Sequence, residues 1–113
     1  DLINSYAWDT AIVFIQTFSG DTDYSKQTSL QSTLTETGNA HDSDNNYDVR
    51  CNIYDMAGNV LEWSTETSTY SRAPCVSIGG YYINSGGYTA NRFRYSTGTS
   101  STDIGFRSTL YVK

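Results

Sequence analysis

The chain has 113 residues, 37% of them hydrophobic and 17% charged, and a formal net charge of −5 at pH 7. That length supports one domain with one modest core, and the acidic balance, without any run of Lys or Arg, excludes a nucleic-acid footprint. The longest apolar run, Ala11 to Ile15, is far short of the roughly 20 residues that span a bilayer, so no membrane insertion is expected.

Polarity comes from Ser, Thr, Asn, Gly and ten Tyr rather than from charge, which suits a β- and loop-rich domain with a polar, aromatic surface. The chain opens without an initiator Met in what reads as a helix lead-in. This fits a piece of a longer gene product whose targeting information would lie upstream.

The first element reads as a helix over Tyr6–Phe18. Ser5 is the expected N-cap, Asp9 favours the positive end of the dipole, and Ser19-Gly20 supplies the stop. Trp8, Ala11, Ile12, Ile15 and Phe18 recur at helical spacing and predict one buried face. Residues 20–50 are the least patterned, with Leu30 and Leu34 as sparse apolar anchors. His41 to Asn46 reads as an exposed loop. His41 is the single histidine, and without a partner set it makes a poor general base.

From Cys51 onward the pattern turns to short strands and tight turns. Asn52 to Trp63 places a Gly58-Asn59 turn inside a run that ends in a strand. Val76-Ser77-Ile78 leads into Gly79-Gly80. Ile104 to Val112 alternates like a closing strand. Cys51 and Cys75 match no metal spacing. They read as buried thiols, a disulfide or a redox pair.

Three pieces, in order, resemble the formylglycine-generating-enzyme family. They are Ser5-Tyr6-Ala7-Trp8-Asp9-Thr10-Ala11; the loop Asp55-Met56-Ala57-Gly58-Asn59-Val60 with Glu62-Trp63; and Gly79-Gly80 followed by Ile104-Gly105-Phe106-Arg107. The resemblance covers most of the chain outside residues 20–50. It implies an α+β, C-type-lectin-like fold with few helices, short antiparallel strands and many loops. On that reading residues 1–113 are the C-terminal portion of one such domain, with the family's N-terminal strands upstream or absent.

The resemblance also implies what is missing. The enzymes of the family use two cysteines for copper and oxygen chemistry. Their positions fall here on Asn84 and on Thr89, directly after Tyr88 and before Arg92-Phe93-Arg94. Neither side chain is a thiolate, the soft ligand that Cu(I) selects, so a non-catalytic member is expected. The family's loop can hold calcium, and the matching residues are Asp55, Gly58, Val60 and Glu62, a hard-oxygen set. The alternative is a polar turn in which neighbouring backbone N–H groups satisfy Glu62.

Between Thr67 and Val112 there is no Lys, Glu, Gln, Met or Trp, the residues that a codon ending in a pyrimidine cannot encode. In this the chain resembles variable proteins of diversity-generating retroelements from gut-bacterial prophages. The aromatics there are interleaved with Ser, Gly, Asn and Arg, a composition paratopes use. Tyr81, Ile83, Asn84, Gly87, Asn91, Phe93, Arg94 and Tyr95 are the candidate ligand-binding positions, and Tyr82 and Tyr88 are expected to be structural. The leading expectation is a module that binds a protein or glycan on a cell surface, itself extracellular, surface-displayed or virion-associated. An oxidase with displaced cysteines and a structural phage or surface domain are the other readings.

Overall fold

The computed structural model describes residues 1–28, 48–82 and 87–110. His41, Leu30, Leu34, Ile83, Asn84 and Val112 lie outside the described residues. The described chain is α+β. One helix, α1 (Ser5–Phe18), and a 3₁₀ turn (Tyr24–Lys26) precede six strands: β1 (Val49–Arg50), β2 (Ile53–Tyr54), β3 (Leu61–Thr67), β4 (Cys75–Ile78), β5 (Arg92–Tyr95) and β6 (Ile104–Phe106).

Helix α1 starts one residue before the expected start. Asn4, not Ser5, is the cap, and its side chain accepts from the Ala7 N–H at 2.8 Å. Asp9 therefore lies beyond the first turn and does not serve the dipole there. It pairs instead with Arg92 at 2.7 Å. Trp8, Ile12 and Ile15 are buried as predicted, whereas Phe18 is 70% exposed and stacks on Phe14. Gly20, at φ +80°, takes the left-handed position that ends the helix after Ser19.

Strands β1 and β2 form a two-stranded hairpin whose turn residues, Cys51 and Asn52, both have positive φ. The other four strands form one sheet in the order β5-β4-β3-β6, antiparallel except for the parallel β3–β6 pair. The closing strand is shorter than the sequence predicts. Among the described residues it ends at Phe106, beyond which an isolated bridge joins Ser108 to Leu2 and Thr109 N–H donates to the Asp1 carbonyl at 2.9 Å.

Strand alternation divides the sheet into two faces. Glu62, Val76, Ile78, Arg92 and Arg94 share the face toward α1. There Val76 and Ile78 join Ile3, Trp8, Ile12, Ile15, Tyr24, Met56 and Ala57 in the core. Leu61, Trp63, Ser77, Phe93, Tyr95, Ile104 and Phe106 share the opposite, outer face.

Candidate functional site

The loop between β2 and β3 is pinned from both ends. Asp48 accepts from the Ala57 N–H at 2.6 Å and from the Tyr24 hydroxyl at 2.9 Å, and its own carbonyl takes the Asp55 N–H at 2.7 Å. Burial pushes the Asp48 carboxyl above its usual range, although these two hydrogen bonds pull it back. Burial, and then the Asp48 charge, push the Tyr24 hydroxyl far up, so it stays a donor. Tyr82 N–H donates to the Asn59 carbonyl at 3.0 Å, tying the loop to the segment after β4. A Cβ on Gly80 would lie 2.2 Å from the Ala57 carbonyl oxygen, so only glycine permits this approach.

Trp8 lies at the centre of this side. It is fully buried, its indole N–H donates to the Thr89 carbonyl at 2.9 Å, and its ring packs under Gly79. The Arg107 guanidinium lies 5.8 Å from its ring centroid. Thr89, one of the two expected cysteine positions, is fully buried, and both its N–H and its hydroxyl reach the Gln27 carbonyl. It works here as a clamp between the 3₁₀ turn and the segment that enters β5.

The proposed calcium residues come together in part. Asp55, Gly58 and Glu62 are buried and Val60 is half-buried. Yet Arg107 grips both oxygens of Glu62, Nη2 on Oε1 at 2.7 Å and Nε on Oε2 at 2.9 Å, and reaches the Tyr54 carbonyl as well. The partner of Glu62 is therefore a guanidinium, not the backbone N–H groups expected in the polar-turn reading. Burial raises the Glu62 carboxyl, and Arg107 partly offsets it. Burial alone would lower Arg107, but the Glu62 carboxylate outweighs it and holds the guanidinium charged. A Ca²⁺ ion on Glu62 would have to share its carboxylate with this guanidinium. Among the described residues, no three His, Cys, Asp or Glu side chains gather as a metal site.

The cysteines are free. Cys51 is exposed at the hairpin tip, which corrects the expectation of two buried thiols, and Cys75 is half-buried at the start of β4.

The candidate binding residues divide sharply. Phe93 and Tyr95 lie on the outer face, half-buried. Tyr81 joins them through an edge-to-face contact with Phe93, ring centroids 6.3 Å apart. Gly87, expected to face a ligand, is instead buried against the Tyr81 ring and Gly80. Arg94 is exposed but shares the helix-side face, because it alternates with Phe93 and Tyr95. Asn91 is half-buried, and its carbonyl accepts from Gly79 N–H at 3.2 Å. Tyr82 is half-buried, whereas Tyr88, expected to be structural, is 47% exposed.

The sequence reading missed two members of this face. Phe93, Ser77, Trp63 and Phe106 pair in register across all four strands. Trp63 meets Tyr95 edge-to-face at 5.5 Å, and Phe106 is 72% exposed. Fully buried Ser77, small at the centre of the row, lets the rings close over it. The signal was the alternation in β3, which sets Trp63 opposite in direction to Glu62. Burial, and then the nearby Asp103 carboxylate, push the Tyr95 hydroxyl up.

No protein-family model matches the chain, and no curated protein matches it. A solved structure described as "Crystal Structure of CarF" superposes with a TM-score of 0.63 at 24% identity. The match covers 94% of this chain and 44% of that one, so the chain spans less than half the length of that protein. At this identity the likeness extends to the fold alone.

Proposed function

We propose that the chain is a non-catalytic ligand-binding module, a C-type-lectin-like scaffold of the formylglycine-generating-enzyme type that presents its outer sheet face to a protein or glycan on a cell surface. The observation that carries this reading is the row of Phe93, Trp63 and Phe106, flanked by Tyr81 and Tyr95, on a face separate from the pinned core. Rings of this kind offer large contact area with few torsions to freeze. The pyrimidine-compatible composition of residues 67–112 supports a diversified surface of the retroelement type, displayed outside the cell or on a virion. Thr89 at an expected cysteine position, tied into the fold by three hydrogen-bonding groups, supports the non-catalytic reading.

The test is labelling of intact gut-bacterial cells with fluorescent protein. Saturable staining that a Phe106→Ser/Tyr95→Ser double variant loses while keeping its circular dichroism is the expected result. Equal staining by the variant, or turnover of a Cys-containing peptide by the copper-loaded protein, would overturn it.

A further inference from the structure

The chemistry of the outer face narrows the ligand class, on the reading that this face binds. By strand alternation, the arginines of the sheet, Arg92 and Arg94, lie on the helix side. Arg92 is held there by Asp9 at 2.7 Å and Glu66 at 3.3 Å. Arg107, just after β6, is committed to Glu62. Among the described residues of the sheet, the outer face thus presents aromatic rings and no basic side chain. The charge at its edge is negative. Asp103 immediately precedes β6, its carbonyl accepting from the Leu61 N–H at 2.9 Å and its carboxylate from the Ser101 hydroxyl, and its charge helps to raise the Tyr95 hydroxyl.

Ring geometry points the same way. Trp63 and Tyr95 stand at 80° with centroids 5.5 Å apart, and Tyr81 and Phe93 at 86° and 6.3 Å. Perpendicular rings form corners in which an ammonium group can lie over one π-face while touching the next ring. A neutral sugar would instead need several planar polar groups to pair its hydroxyls. The sheet's outer face shows hydroxyls instead, those of Tyr95, of Ser77, buried beneath the rings, and of exposed Thr65 and Thr67, with Asp103 at the edge. The net charge of −5 adds a long-range attraction for a basic partner.

We infer that the outer face of the sheet recognises a lysine-bearing segment of a partner protein, seating ammonium groups against Trp63, Tyr95, Phe93 and Tyr81 with Asp103 as the counter-charge.

The full chain can be titrated with hexalysine, with side-chain-acetylated hexalysine and with chitohexaose while tryptophan emission is followed. Trp8 is fully buried, so a change reports on half-buried Trp63. Hexalysine is expected to saturate, and acetylation to weaken binding about tenfold or more. Tyr95→Leu should weaken it by about fivefold, in line with the loss of about 1 kcal/mol. Asp103→Asn, at the half-buried position before β6, should weaken it by a smaller factor, about two- to threefold. Tighter binding of chitohexaose or of the acetylated peptide would overturn the cationic assignment while leaving the binding face in place. Hexalysine binding that neither variant changes would reduce the effect to net charge and overturn the assignment. So would the absence of any change in Trp63 emission with all three probes.

Discussion

On the helix side of the sheet, the buried and half-buried groups have partners that only the fold supplies. Glu62 has Arg107, Arg92 has Asp9 and Glu66, and Val76 and Ile78 have the buried stripe of α1. On the outer side, Leu61 and Ser77 are buried, Trp63, Phe93 and Tyr95 are half-buried and each meets another ring, and Phe106 is mostly open. The same four strands thus carry one face that specifies the structure and one that is only partly used by it. A change on the first should act on stability, and a change on the second should act on recognition.

The largest effect should come from Gly80→Ala, which drives a Cβ into the Ala57 carbonyl oxygen. The expected result in urea denaturation is loss of the folded baseline, or destabilisation above about 4 kcal/mol. Trp8→Ala should follow at about 3–5 kcal/mol, since it empties the core and leaves the Thr89 carbonyl without its indole donor. Arg107→Met leaves Glu62 buried without a counter-charge and should cost about 3–5 kcal/mol. Adding Glu62→Gln to it should recover part of that loss, which thermal melts of the double variant would show.

The pH dependence separates the faces next. Asp48 and Glu62 are held above their usual values of 3.8 and 4.5 in the folded chain. A raised carboxyl favours the folded state most when it is protonated. That contribution is present below the usual values and is lost as pH rises through the folded ones. The Tm should therefore be higher near pH 5 than near pH 8. Asp48→Asn should flatten that difference, whereas Tyr95→Phe on the outer face should leave it intact. The smallest stability effect belongs to Phe106→Ser, at about 0.5 kcal/mol or less, as expected for a mostly exposed side chain.

Local patterns made the inner face legible. Trp8, Ile12 and Ile15 at helical spacing marked the stripe that α1 buries, whereas the close backbone approach at Gly80 appears only in the fold. Asn4 was missed as the cap because Ser5 has the same capping chemistry one residue later, and only the backbone decides between them. Phe18 was misplaced because the apolar spacing continues past the point where the core ends. The outer face was half legible. Its composition pointed to Tyr81, Phe93 and Tyr95, but a composition has no sides. Arg94 is exposed as expected but lies on the helix side by alternation, and Gly87 is covered by the Tyr81 ring. Trp63 and Phe106 join the face through pairings between strands 43 positions apart in the chain, which no local window contains. The calcium residues illustrate the same limit. Their residue types suggested hard-oxygen ligands, but the Arg107 that pairs with Glu62 lies 45 residues further along the chain.

Sequencing this gene across a natural population tests the separation of the two faces most directly. The account predicts substitutions concentrated at Tyr81, Phe93, Tyr95 and their outer-face neighbours, over an unchanged Trp8, Gly80, Thr89, Glu62 and Arg107. Substitutions spread evenly over both faces, or more frequent on the helix side, would contradict it.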